Sequence, residues 1–216
     1  MEKIVLIGAS GFVGSAIMDE ALERGHEVKA VVRHPEKITT VHKNLVITES
    51  DVSFIDNVTE VCKGADAVIS AYNPGWKNPD IAEETTRVYR VILEGVRQSG
   101  VKRLLVVGGA GSLFVSPGKR LMDSGVIPES FLPALRALAE IYLNDLIAEK
   151  VIDWVFFSPA GNLQPGTRTG KFHLGKDALI VNEKGESIIS VQDYAVAMID
   201  ELEKPAHHRE RFTIGY

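Results

Sequence analysis

The chain has 216 residues, 45% hydrophobic and 25% charged, with a formal net charge of −5. That composition excludes disorder and collagen-like repeats, and the length lets about 70% of the unfolded surface be buried without disulfides or metal staples. The acidic balance invites no nucleic acid, the single Cys62 excludes an internal disulfide and fits a reducing compartment, and no apolar run approaches the roughly 18 residues of a membrane span. Ile4-Val5-Leu6-Ile7, between Met1-Glu2-Lys3 and Gly8, is too short for a signal-peptide core. The sequence therefore predicts one cytoplasmic domain over residues 1–216, with no membrane partner.

The same Ile4–Ile7 run reads as a buried strand. A glycine loop follows, and then Phe12, Val13, Ala16, Ile17 and Ala21 recur at helical spacing. Gly25 stands where a helix C-terminus takes a left-handed residue. Further strands are predicted at Val28–Val32, Leu45–Thr48, Ala67–Ile69 and Leu104–Val107. Ser53-Phe54-Ile55-Asp56 has a capping-box pattern with Val58 and Val61 on one face. Asn78-Pro79 is predicted to cap a helix that carries Ile81, Thr85, Val88, Ile92 and Val96 inward until Ser99-Gly100. Leu135, Leu138, Tyr142 and Leu146 mark another helix, leading to a sixth strand around Trp154–Phe157. Residues 158–190 then become loop-rich, which reads as a substrate-facing lid or insertion. A helix from about Gln192 to Glu203 and a strand near Arg211–Ile214 close the chain. Strands alternating with helices at this spacing predict an α/β fold, a doubly wound parallel sheet of the Rossmann type with a small C-terminal substrate-facing region.

Gly8-Ala9-Ser10-Gly11-Phe12-Val13-Gly14 joins the first strand to the first helix. The G-x-x-G-x-x-G spacing differs by one step from G-x-G-x-x-G and serves the same chemistry. Bare backbone approaches a pyrophosphate, whose charge meets unpaired N–H groups at the helix N-terminus. The second strand ends at Val32-Arg33-His34, without the carboxylate that binds ribose hydroxyls in NAD sites. A guanidinium at Arg33 would hold a 2′-phosphate with two hydrogen bonds, so NADP is the expected cofactor, with NAD the alternative. Asp51-Val52, after the third strand, would either meet the adenine or enter the next helix. Ala71-Tyr72, after the fourth strand, would line the ribose side or belong to a Pro-Gly turn.

With these residues in view, the chain resembles the short-chain dehydrogenase/reductase superfamily, in particular its atypical NAD(P)H-binding branch. That branch includes NmrA-like, NADH-flavin reductase-like and epimerase/dehydratase-like proteins. The resemblance rests on Gly8–Gly14, Val106–Ser112, Asp153–Ala160 and Ile189–Ala195, and spans the chain. It implies that Gly109 lies beside the nicotinamide half of the cofactor and that Pro159 and Ala160 meet its carboxamide. It also implies a Ser, matched by Ser112, and a Tyr-x-x-x-Lys relay, which is missing. Counted back from Asp153-Trp154, the Tyr and Lys positions fall near Arg136 and Glu140.

The missing relay shapes the expected reaction. Reducing an isolated carbonyl needs a positioned acid, whereas a flavin or quinone spreads the incoming charge over its ring. The expectation is an NADPH-dependent oxidoreductase acting on a small conjugated molecule, with Tyr72 and Trp76 as a stacking wall and Ser112 as a hydrogen-bond donor. Two alternatives remain. One is an epimerase/dehydratase-like enzyme using Glu140, Arg168 and His173; the other is a non-catalytic NADP(H)-sensing module. His207-His208 is not expected to share a metal, and Cys62 is expected to pack in the interior. Apolar positions at Leu113–Val115 and Val126–Phe131 would seed a homodimer or form a pocket wall.

Overall fold

The computed structural model describes residues 1–216. In chain order the strands are β1 (Lys3–Ile7), β2 (Glu27–Val32), β3 (Leu45–Glu49), β4 (Ala67–Ser70), β5 (Arg103–Val107), β6 (Phe114–Ser116), β7 (Lys119–Arg120), β8 (Asp153–Ser158), β9 (Asn162–Gln164), β10 (His173–Gly175), β11 (Ile188–Ser190) and β12 (Glu210–Gly215). The helices are α1 (Phe12–Glu23), α2 (Ile55–Cys62), α3 (Ile81–Ser99), α4 (Leu132–Glu140) and α5 (Val191–Glu203). Eight strands form one sheet in the order β10-β12-β8-β5-β4-β1-β2-β3, parallel except for the antiparallel edge strand β10. This is the Rossmann-type α/β fold.

Alternation along each strand divides the interior. Ile4, Leu6, Val28, Ala30, Ile69, Leu105 and Phe157 point to one face and pack against α1 and α5. Val5, Ile7, Val68, Leu104, Val106 and Phe156 point to the other and pack against α2, α3 and α4. Both faces are covered, which is why the strands read as continuous apolar runs. On the first face, Tyr194 of α5 stacks on Phe157 with centroids 4.2 Å apart, and its hydroxyl donates to the Phe157 carbonyl at 2.7 Å.

Several local features depart from the sequence reading. The Ser53 hydroxyl does not cap α2, whose N-terminus has no side-chain cap; instead the Ser53 N–H donates to Asp51 Oδ1 at 2.9 Å. Helix α3 begins at Ile81 rather than Pro79, because Asn78 Oδ1 accepts the Asp80 N–H at 2.9 Å and holds a turn there. Beyond α4 the chain winds into a π-helix, Ile141–Leu146. Its wider turn puts Ile141 and Leu146, five positions apart, into one core.

The 158–190 segment is not a lid as a whole. Residues 161–163 reach the cleft described below, but β10 extends the main sheet and β11 pairs with β9. Asp193, fully buried, fastens the stretch between them. Its carboxylate accepts the N–H groups of Thr169 and Gly170, both at 2.8 Å, and the Thr169 and Tyr216 hydroxyls. No helix is long and apolar enough to cross a membrane.

Candidate nucleotide-binding cleft

The sheet reverses its winding between β1 and β4, and a crevice opens beyond the carboxyl ends of the strands at that point. The Gly8–Gly14 turn forms its floor. Gly8 has φ +81°, a left-handed conformation, and a Cβ there would lie 2.5 Å from the Ala71 carbonyl oxygen. A Cβ on Gly14 would lie 2.1 Å from the Gly8 carbonyl oxygen, so α1 packs against the end of β1 only because Gly14 is bare. Gly11 is the N-cap of α1; Ser10, Gly11 and Phe12 are exposed around it. The helix has no side-chain cap and no acidic residue in its first turn. Its first-turn N–H groups and positive dipole end therefore face the crevice without a competing anion. Such a cradle fits a dinucleotide's pyrophosphate.

Arg33 directly follows β2 and is exposed, and no carboxylate lies within ion-pair distance of it. The Gly8 N–H donates to the Val31 carbonyl at 3.1 Å, which ties the end of β2 to the glycine turn. Hydrogen bonds from Ser53, followed by the nearby charges of Arg33 and Arg87, hold the Asp51 carboxyl below the usual carboxylate range. Asp51 thus holds the turn that precedes α2 and lies near Arg33. Val52 is 6% exposed and its side chain belongs to the core, so only its backbone is available to a ligand.

The crevice continues into a cavity of about 680 Å³. Phe12, Val13 and Gly14 line it from the glycine turn, Ala71 and Tyr72 from the end of β4, Gly109 from the end of β5, and Pro159 and Ala160 from the end of β8. Trp76, Ile127, Phe131, Leu135 and Leu138 enclose its far end. None of its 25 lining residues is Asp, Glu, Lys, Arg or His. Tyr72 meets Tyr89 edge-on at 5.9 Å, and the Tyr89 hydroxyl donates to the Tyr72 carbonyl at 3.1 Å. Burial pushes the Tyr72 phenol up to about 12 and the fully buried Tyr89 phenol higher still. Both remain protonated and neutral at physiological pH.

Two sequence expectations for the chemistry are corrected. Ser112 is 2% exposed and outside the cavity lining. Its hydroxyl accepts from Arg211 Nη1 at 2.8 Å, in a buried group where Arg211 also binds Asp177 and lies 4.6 Å from the Tyr142 ring centroid. The serine oxygen is engaged by this group rather than lining the cavity. The residues of the epimerase-like alternative are dispersed. Arg168 binds Glu20 of α1 through two bonds of 2.8 Å, His173 sits on the edge strand β10, and Glu140 pairs with Arg90 at 3.1 Å.

Glu140 and Arg136, at the relay positions, face an open groove between α3 and α4, while Leu135 and Leu138 of the same helix face the cavity. The structure also adds two wall residues that sequence spacing gave no functional reason to select, Leu135 and Thr85. Of the candidate dimer residues, Leu113 is fully buried and Ile127 and Phe131 line the cavity. His207 and His208 hydrogen-bond different carboxylates, Glu201 at 2.7 Å and Asp153 at 2.8 Å. Cys62 is buried, and that burial pushes its thiol up to about 12.

Fold and cleft together define a dinucleotide-binding Rossmann protein. A family model described as NAD(P)H-binding matches residues 8–205, and the chain belongs to that family. A solved structure of a proposed epimerase from Bacteroides thetaiotaomicron is 63% identical, with a TM-score of 0.95 and coverage of 100% of this chain and 97% of that one. A proposed NADH-flavin reductase from Streptococcus pneumoniae TIGR4 is 35% identical, with a TM-score of 0.85 and coverage of 100% and 99%. The uncharacterized protein YwnB of Bacillus subtilis (strain 168) is 44% identical over 215 residues, 98% of this chain and 97% of that protein.

Proposed function

We propose that this chain is an NADPH-dependent oxidoreductase that passes hydride to a small conjugated acceptor such as a flavin or quinone. The observation that carries the reading is the charge-free cavity next to the glycine turn. Reducing an isolated carbonyl concentrates charge on one oxygen, and a positioned acid typically contributes about 10²–10⁴-fold to such a step. No side chain here is built for that, since the two phenols hold their protons tightly and Glu140 faces outward. A conjugated ring spreads the charge, and solvent supplies the remaining proton.

The bound dinucleotide supplies the hydride. The uncapped turn of α1 holds the pyrophosphate, and Arg33 binds the 2′-phosphate that distinguishes NADPH from NADH. Gly109, Pro159 and Ala160 form the nicotinamide side. Tyr72 and Trp76 hold the acceptor face-on, and the apolar walls exclude water, so catalysis is by positioning. The 35% identical relative carries a name of the same reaction class, which supports the reading.

The test is NADPH oxidation followed at 340 nm with and without FMN, riboflavin or a quinone. The expected result is acceptor-dependent loss of NADPH, weakened in Arg33→Glu. Tight NADPH binding with no turnover of any acceptor would overturn the reading and favour a nucleotide-sensing module.

A further inference from the structure

We infer that the far end of the cavity selects an uncharged, flat acceptor of the quinone class, without phosphate or sulfonate, clamped by Trp76 and Phe131. This rests on the reductase reading and specifies what that site admits. Trp76, on the loop after β4, and Phe131, just before α4, meet edge-on with centroids 5.4 Å apart and planes at 71°. Both are partly exposed, at 58% and 43%. Two aromatic rings from separate segments, held in contact and half uncovered, offer a flat ring a surface to stack on.

The surroundings disfavour an anion. An ionised group brought into this end would lose water and meet no cation, because no lining residue is charged. The basic side chains of the neighbouring groove are paired, Arg90 with Glu140 at 3.1 Å, Arg136 with Asp123 at 3.4 Å and Arg87 with Glu84 at 3.6 Å.

Three of the polar side chains along the cavity are engaged within the protein. Asn73 Oδ1 accepts the Gly75 N–H at 2.7 Å, Asn162 Nδ2 donates to Gln164 at 3.1 Å, and the Tyr89 hydroxyl donates to Tyr72. The Tyr72 hydroxyl has no protein partner, and burial, which pushes the phenol up, keeps it protonated and able to donate. A neutral carbonyl oxygen on a conjugated ring matches it. Reduction is then a two-electron transfer: a hydride from NADPH and a proton from solvent convert the quinone to its hydroquinone, leaving NADP⁺.

The experiment compares matched pairs on NADP⁺-saturated protein: 1,4-naphthoquinone with its 2-sulfonate, and riboflavin with FMN. Binding is read by quenching of tryptophan emission, with Trp76→Phe as control because the other tryptophan, Trp154, is 2% exposed. We expect the neutral member of each pair to bind at least about tenfold tighter. We also expect kcat/KM with NADPH to follow the same order, and Phe131→Lys to shift the preference toward the sulfonate. Equal or tighter binding of the sulfonate or FMN would overturn the inference, as would absence of quenching by all four. If neutral compounds quench preferentially while none is reduced, the selectivity stands and the reductase reading falls.

Discussion

The two ends of the cleft are built on opposite principles. At the glycine turn, an uncapped helix and an unpaired Arg33 present positive potential to solvent. Towards the other end, where Trp76 and Phe131 stand, the cavity of about 680 Å³ that starts at this turn has no charged side chain in its lining. The first end gains affinity from electrostatics, which suits a polyanionic nucleotide. The second can only gain it from contact area and exclusion of water, which suits a neutral ring. On the proposed reading, a protein divided in this way would hold its cofactor by charge and its acceptor by shape, and leave the chemistry to their juxtaposition.

The largest effect should come from the backbone of the cationic end. Gly14→Ala places a methyl 2.1 Å from the Gly8 carbonyl oxygen, so the turn must shift. We expect about 2–3 kcal/mol of lost stability in thermal or urea unfolding, and loss of NADPH binding by calorimetry. Arg33→Glu should leave stability unchanged, since Arg33 is exposed and forms no ion pair. It should lower NADPH affinity by about 10–100-fold and reverse the preference for NADPH over NADH, because a charge-assisted pair of about 1.5–3 kcal/mol becomes a repulsion.

A sharper test of the neutral end is its pH profile. With the Tyr72 phenol pushed up to about 12 and Tyr89 higher, no lining group changes charge near neutrality. The acceptor-dependent kcat should be flat from about pH 6 to 9. It should fall only as rising pH approaches the Tyr72 value and the phenol loses the proton it donates. A bell-shaped profile centred near neutrality would show an acid or base at work in the cavity.

The smallest effect belongs to Ser112→Ala. Acceptor turnover should stay within about twofold of the wild type. Unfolding should register roughly 1–2 kcal/mol from the lost bond to the buried Arg211. A large loss of turnover at unchanged stability would return Ser112 to the reaction.

The difference between the two ends also explains what could be read from the sequence. The cationic end is local: one strand, seven residues of turn and one helix, with Gly8 and Gly14 at positions where backbone geometry demands glycine. Strands β1, β2, β4, β5 and β8 were legible for the same reason, as apolar runs buried in the sheet, and β3 by its β-branched residues although it is an exposed edge strand. The neutral end is assembled from segments remote in the chain, the loop carrying Trp76, helix α4 and residues 159–163, and no spacing rule connects them.

Ser112 misled because its partner, Arg211, is 99 residues away. Asp51 accepts the Ser53 N–H where Ser53 had the capping pattern, a competition between neighbouring polar groups that sequence order does not decide. Strands β9 and β10 have three residues each, too few to show alternation; β9 forms by pairing with β11 and β10 by extending the sheet at β12. The π-turn likewise arises from packing, since Ile141 and Leu146 must share one core.

The central claim is that a cavity without an acid or a charge reduces conjugated acceptors and little else. It is tested most directly by following NADPH at 340 nm with 1,4-naphthoquinone and, in parallel, with an unconjugated ketone such as cyclohexanone. The account predicts saturable turnover of the quinone well above the uncatalysed rate, and no turnover of the ketone above background. Reduction of cyclohexanone at a rate equal to or above that of the quinone would contradict it, and would mean that a cavity group, Tyr72 first among them, acts as an acid.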